Sequence, residues 1–352
     1  MTLSVSVVIA TFNGAEYVHE QLQSLAHQNT LPNEVIVSDD GSHDQTLSIV
    51  REFAESAPFS MRVISNDQQM GFADNFLSAA RTVTNDIVAF CDQDDVWLPQ
   101  KLTFCIDAFK SAAQPSVVIH SAAIVDSSLN EKAVFPVFPD EFLPPSKCPI
   151  FPTRQYNGFA MLFRQPILNL LPSEMRPQEH DLYPRMSHDD WIPFLACLSN
   201  GITTLSSPLV LHRQHVNQTS DGIGPPRLRN RISNIISTDL LQTDNRSRIS
   251  AGRVQLLQDN FDLLSMDTGV YEKAVRLCDA YLTYIESAKQ RQELYSSRDS
   301  LRRRITLLRS GNYGDQALGE LGLRSLAKDF LVTMIGAKRL SKFSTPFMTK
   351  KR

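Results

Sequence analysis

The stretch AFCDQDDVWLPQKL (residues 89–102) sets three carboxylates, Asp92, Asp94 and Asp95, within four positions, directly after an apolar run that reads as a buried strand. Like charges that close repel one another, so folding alone gives no reason for the crowding. A second acidic pair, Asp39 and Asp40, closes NEVIVSDDGS, and Thr11 and Asn13 follow the apolar run SVSVVIA. A third, Asp189 and Asp190, opens HDDWIPFLA, and HRQHVNQTS carries Arg213 and His215. Acids at strand ends serve turns and helix caps, a catalytic carboxylate dyad, or a hard divalent cation. Mg²⁺ and Mn²⁺ take oxygen ligands and are commonly held by one or two carboxylates plus substrate phosphates. Turn chemistry accounts readily for SDDGSHD. It accounts less well for CDQDDVW, because a turn rarely needs three acids and Trp97 and Leu98 read as packing back on the core. Neither a G-x-x-x-x-G-K-[ST] loop nor a G-x-G-x-x-G after the first apolar run occurs. That sets aside a P-loop ATPase and a Rossmann dehydrogenase. A bound nucleotide is then expected to rest on carboxylates and metal rather than on a glycine cradle.

These residues need elements that bring them together. β-Branched runs at 4–10, in NEVIVSDD, in MRVISN and in NDIVAFCD alternate with helical periodicity over 15–28, 44–57, from about Gly71 to Val83, and over 99–112. Strands alternating with helices of about a dozen residues predict right-handed βαβ units and a mostly parallel sheet with helices on both faces. In such a sheet, ligands bind outside the carboxyl ends of the strands. Thr11, Asn13, Asp39, Asp40, Asp92, Asp94 and Asp95 are all expected at that edge. A further strand is expected from Ser116 to about Ile124. The six prolines between 136 and 152 predict a long loop. NGFAMLFRQPIL (157–168) predicts a strand or hairpin entering a helix, HDDWIPFLACLSN a helix with an acidic start, and 202–220 one or two strands and a polar loop. Gly224–Pro226 is the expected boundary between a domain over 1–223, divided into halves 1–113 and 114–223, and a helical region over 227–352.

The chain has 352 residues and a net charge of −3. Residues 227–352 hold 23 Lys and Arg against 13 Asp and Glu, whereas 1–226 hold 12 against 25. An acidic front and a basic rear predict two tasks. The five cysteines are scattered without a C-x-x-C pair, the pattern of reduced thiols in a cytoplasmic protein, and a structural zinc site is not expected. Neither a signal peptide nor a transmembrane helix is expected.

Four pieces, SVVIATFNGAEYVHEQLQSLAHQ, EVIVSDDGSHDQT, GFADNFLSAA and DIVAFCDQDDVWLPQKL, resemble in order and spacing the nucleotide-binding half of family 2 glycosyltransferases, whose fold is GT-A. HDDWIPFLA and HRQHVNQT resemble the subgroup holding bacterial rhamnosyl- and related transferases of surface polysaccharide synthesis. The resemblance covers about residues 3–220. It implies that Thr11, Asn13, Asp39 and Asp40 contact the nucleoside, with Asp39 accepting from a base N–H. It places Asp92 near the ribose and Asp94 or Asp95 on a metal bridging the diphosphate, either Mg²⁺ or Mn²⁺. An inverting transfer also needs a base for the acceptor hydroxyl. The family's motif points to Asp189, while Asp190 stands where an aromatic is common, so the choice stays open between them. Arg213 would contact the diphosphate from a closing loop, where His215 could join the metal, and Asn157 and Gly158 would line the sugar pocket.

The implied reaction moves a sugar from a nucleotide-sugar, dTDP-rhamnose first, to a hydroxyl of a glycan acceptor on a polyprenyl diphosphate. A UDP-hexose or UDP-N-acetylhexosamine donor is the alternative of the same fold. A sugar-nucleotidyltransferase and a non-catalytic nucleotide-sugar-binding protein are the rivals of other classes. ATFNGAEY lacks the Arg or Lys of a triphosphate loop, and the two acids at 189–190 speak for catalysis. RLRNRISNIIS, SRDSLRRRITLLRS and LRSLAKDFLVTMIGAKRLSKF are basic and amphipathic, with Leu323, Leu326, Ala327, Phe330, Met334 and Ile335 near one face. Such helices dock on an anionic membrane surface or pack as a helical subdomain. The first option would make the protein peripheral on the inner face of the cell membrane. Nucleic acid is not an expected partner.

Overall fold

Valine and isoleucine crowd the first strand, β1 (Val5–Thr11), and Val7, Val8 and Ile9 are all buried. A strand buried on both faces belongs inside a sheet covered by helices on both sides. In the computed structural model, β1 pairs in parallel with β2 (Glu34–Asp39) and β4 (Ile87–Asp92), and β2 with β3 (Ser60–Ser65). The connections run through α1 (Val18–Ala26), α2 (Thr46–Ala54) and α3 (Phe72–Arg81). Parallel direction brings the strands' carboxyl ends to one edge, where Thr11 stands opposite Asp39 and Ala10 opposite Asp92. The structure describes residues 2–149, 151, 156–178, 185–215 and 237–296, together with 305, 306, 308, 309, 313, 314, 321, 325–327, 329, 330 and 333.

The sheet order is β3-β2-β1-β4-β9-β6-β10-β5. β9 (Met161–Arg164) runs antiparallel between β4 and β6 (Val117–Val125). β10 (Ile202–Arg213) is parallel to β6, with register shifts on either side of Pro208. At the far edge β5 (Val96–Trp97) pairs antiparallel with β10, Val210 opposite Trp97. β7 (Glu131–Val134) adds to β6 and β8 (Glu141–Leu143) to β10. α4 (Lys101–Phe109) and α5 (His188–Leu198) are the further described α-helices of this unit.

Three expectations are corrected. The proline-rich stretch holds β8 and a 3₁₀ turn at Pro145–Lys147. The segment at 157–168 is a 3₁₀ turn (Gly158–Ala160), then β9, then a second 3₁₀ turn (Gln165–Asn169) rather than an α-helix. The stretch from 202 is one strand to Arg213, so Arg213 ends a strand instead of riding a loop.

Two compact units result. The first comprises residues 1–148, 152–176 and 186–225, and the second 149–151, 177–185 and 226–352. The core of the first joins Val7, Ile9, Leu22, Val37, Cys91, Trp97, Leu102 and Phe109. In the second, α6 (Ser237–Asp259), α7 (Phe261–Leu264) and α8 (Thr268–Ser296) bury Leu257, Leu264, Ala274 and Leu277. There Arg291 donates to both oxygens of Asp329 at 2.9 and 3.0 Å, and Tyr295 and Tyr313 each add a 2.9 Å bond to the same carboxylate. Gly224–Pro226, most of the three basic segments, and Leu323, Met334 and Ile335 lie outside the described residues. Leu326 is half-buried, Ala327 is exposed, and Phe330 is 53% exposed. Among the described residues no helix is long and apolar enough to cross a membrane. All five cysteines are buried.

Candidate active site

The strand-end residues meet as a connected rim. Asp39, fully buried at the end of β2, accepts from the Thr11 hydroxyl at 2.9 Å and from the Ser42 amide and hydroxyl at 2.9 and 2.5 Å. Its Oδ1 carries a single donor, which leaves one acceptor position on that oxygen. Asn13, at φ +48°, donates its amide to the Ser42 hydroxyl oxygen and accepts the His43 amide on Oδ1, both ties within the rim. Asp40 faces the next connection. It accepts from the amides of Met70 and Gly71 at 2.7 and 2.8 Å and from Asn66 Nδ2 at 3.1 Å. Its carboxylate thereby satisfies orphan donors at the start of α3.

Gln93 was not singled out in the sequence, yet it joins the first and fourth strand ends. Its Oε1 accepts the Phe12 amide at 2.9 Å and its Nε2 donates to the Phe12 carbonyl at 3.1 Å. A Cβ on Gly14 would lie 2.2 Å from that Oε1, so a side chain there would displace the Gln93 amide from these bonds.

The acidic cluster divides. β4 ends at Asp92, the chain turns, and β5 runs back against β10. That reversal buries Asp95 beside His212, whose Nδ1 lies 2.9 Å from Asp95 Oδ1, and the Arg213 amide donates to the same oxygen at 3.1 Å. Asp95 Oδ2 and His212 Nε2 are buried with no hydrogen-bond partner. One ligand atom each from Asp92, Asp95 and His212 lie within 4.8 Å of one another. Asp94 turns the other way, its Oδ2 2.8 Å from His215 Nε2. The expected metal group Asp94, Asp95 and His215 thus differs from the group the geometry assembles. Asp92 and His212 stand with Asp95, while Asp94 and His215 form a separate pair. The open atoms on Asp95 and His212, together with two carboxylates and an imidazole, fit a divalent cation.

Charge follows this geometry. Burial, then Asp95 and Asp94, push the Asp92 carboxyl well above the carboxylate range, and Asp189 adds to the same push. Burial, then Asp95, raises Asp94, while His215 opposes. Burial pulls the His212 imidazole down, but Asp95, Asp92 and Asp94 outweigh it and hold it up at about 9.

Asp189, at the start of α5, is the second wall. His188 Nε2 lies 3.0 Å from Asp189 Oδ1, and the imidazole stacks on Phe76 at 4.6 Å between Phe72 and Phe90. Asp189 is partly open and Asp190 is exposed. Against this wall sits the Asn157–Gly158 turn. Asn157 is buried with Nδ2 unpartnered, and a Cβ on Gly158 would lie 2.4 Å from His188 Nε2 and 2.7 Å from Asp189 Oδ1. Arg213 is committed elsewhere. It donates to the carbonyls of Asp94 and Ser127 at 2.9 and 2.6 Å, pairs with Glu20, and lies over the Tyr17 ring. His212 carries a sequence signal as the first residue of HRQH, but residue type alone does not rank it above Arg213 and His215.

A mixed α/β unit with a large, mostly parallel sheet and acids at its strand ends is shared with GT-A glycosyltransferases. The crystal structure of S. aureus TarS 1–349 shares it, with a TM-score of 0.54 at 18% identity over 97% of this chain and 90% of that one. Residues 6–169 match glycosyl transferase family 2. An uncharacterized glycosyltransferase of Nostoc sp. is 30% identical over 132 residues, which cover 38% of this chain and 40% of that protein. A dTDP-rhamnosyl transferase of Shigella flexneri is 35% identical over 103 residues, 28% of this chain and 36% of that one. The chain thus spans well under two thirds of these relatives.

Proposed function

We propose that this chain is an inverting glycosyltransferase that moves a sugar from a nucleotide-sugar to a glycan hydroxyl. One observation carries the reading. The Asn157–Phe159 turn borders both groups: the Phe159 ring stacks at 4.2 Å on His212 of the Asp92–Asp95–His212 group, and a Cβ on Gly158 would lie 2.7 Å from Asp189 Oδ1, so a candidate cation site and a further carboxylate lie along one turn. Thr11, Asn13 and Asp39 form the wall for the nucleoside, and Asp40 shapes it by holding the connection before α3. Asp92, Asp95 and His212 hold the cation; two carboxylates and an imidazole suit Mn²⁺ better than Mg²⁺. When bound, the cation offsets charge on the departing nucleoside diphosphate.

Asp189 accepts the proton of the acceptor hydroxyl. The oxygen attacks the anomeric carbon, the bond to the diphosphate breaks, and configuration inverts. Asn157 Nδ2, buried with an unused donor, faces the sugar beside Gly158. The family resemblance and the Shigella relative support dTDP-rhamnose as donor. By the same resemblance, the acceptor is a growing surface glycan on a polyprenyl diphosphate, met at the inner face of the membrane. The basic segments of 227–352 would serve that docking.

The test is a donor panel, dTDP-rhamnose beside UDP-hexoses and UDP-N-acetylhexosamines, with Mn²⁺, Mg²⁺ or EDTA, reading nucleoside diphosphate release. Release from dTDP-rhamnose that stops with EDTA is expected. Release from a UDP-sugar alone would replace the donor, and release indifferent to EDTA would remove the metal.

A further inference from the structure

Lys101 occupies a place where helical periodicity calls for an apolar residue. It heads the inner stripe of α4, followed by Leu102, Cys105, Ile106 and Phe109, and it is fully buried. Its Nζ donates to the Phe159 carbonyl at 2.7 Å and lies 3.5 Å above the centre of the Trp97 ring. Among the described residues it makes no ion pair. A buried ammonium held by one carbonyl and an aromatic face costs stability that a methionine of similar length would not. The compensation lies in what the carbonyl belongs to. The Phe159 ring stacks on His212 at 4.2 Å, 9° from parallel, and His212 holds Asp95. One residue earlier, Gly158 abuts His188 and Asp189. A single turn therefore touches the cation group on one side and the candidate base on the other, and Lys101 is its anchor in the core.

We infer that Lys101 is a positioning residue for both halves of the site, pinning the Asn157–Phe159 turn so that Phe159 fixes His212 and Gly158 fixes the place of Asp189. The inference rests on the cation reading of Asp92, Asp95 and His212, and its test separates the two. Full-length wild type, Lys101→Met and Phe159→Leu are titrated with Mn²⁺ alone by calorimetry. Nucleoside diphosphate release, thermal midpoint, and hydrogen exchange of the 158–161 amides are measured alongside.

Lys101→Met is expected to weaken Mn²⁺ roughly tenfold and to lower kcat about 10- to 100-fold, the range for partners that orient metal ligands. Its thermal midpoint should be equal to or above wild type, and exchange at the turn should be faster. Phe159→Leu, which keeps the carbonyl, should weaken Mn²⁺ with less effect on exchange. Wild-type Mn²⁺ affinity and kcat in Lys101→Met overturn the inference. So does a fall in its midpoint large enough to account for the lost activity, which marks a merely structural lysine. Should wild type itself take up no Mn²⁺, the cation reading fails; Lys101 is then judged by exchange at the turn, and unchanged exchange overturns it too.

Discussion

Asp95 Oδ2 and His212 Nε2 each sit buried without a partner, and an unsatisfied buried polar atom costs about 1–3 kcal/mol. A group that bears such a cost twice within one small cluster is built to receive something. Asp95→Asn should therefore abolish Mn²⁺ uptake measured by calorimetry. Asp94→Asn, which loosens only the pair with His215, should keep uptake within about tenfold of wild type. The reverse order would move the cation to Asp94, the other of the two acids that the family resemblance offers for it. At the other wall, Asp189→Asn should cost about 10²- to 10⁴-fold in kcat, the usual worth of a general base. Asp190→Asn should stay within about threefold on the same reasoning, since its carboxylate is exposed. Equal losses in both would deny Asp189 its role. Gly158→Ala puts a methyl group 2.4 Å from His188 Nε2. It should lower kcat at least about tenfold, since small misplacements at a reacting centre are expensive. An alanine variant of wild-type rate would show that the turn and α5 do not need this approach.

At the scale of elements, the sequence disclosed what depends on neighbours along the chain and concealed what depends on distant ones. The β-branched runs of β1, β2 and β4 and the alternation with α1 to α4 placed Thr11, Asp39 and Asp92 on one edge without coordinates. What stayed hidden is β5. Its two residues carry no periodicity of their own, and they form a strand only because β10, over a hundred positions later, lies alongside. The pairing of Asp95 with His212 is a consequence of that distant match, so three acids in four positions could not be sorted from sequence. Asp40 teaches a related lesson. It reads as a nucleoside contact by its motif, yet three donors from the β3–α3 connection fill its carboxylate. Asp40→Asn, which cannot accept all three, should destabilise the unit by about 1–3 kcal/mol in urea unfolding. A variant of unchanged stability but lost donor binding would return Asp40 to the nucleoside.

The balance of the whole molecule against pH can be read because both tryptophans, Trp97 and Trp191, are buried in the first unit, so fluorescence reports its unfolding. Three kinds of buried group titrate differently on folding. His212 is raised from 6.5 to about 9, so the stability it contributes is fully present below 6.5 and is lost as pH rises through 9. The buried Cys105 thiol is raised from 9.0 to about 12, and Cys91 well above its ordinary value, chiefly by burial. The unfolded chain ionises these thiols first, so stability falls further above about pH 9. Lys101 works the other way. Burial lowers it from 10.5 to about 8, so between those values the unfolded chain holds the extra proton and stability rises with pH. At neutral pH its charge costs about 3 kcal/mol, the worth of a shift of that size. Lys101→Met should therefore outlast wild type in urea at pH 7. That advantage should shrink steadily from pH 8 and vanish near 10.5, where the variant's alkaline decline runs steeper. Urea midpoints of the two proteins in EDTA across this range give the comparison. A constant offset between the curves would mean that Lys101 does not change its protonation on unfolding and that its burial costs the fold nothing through charge.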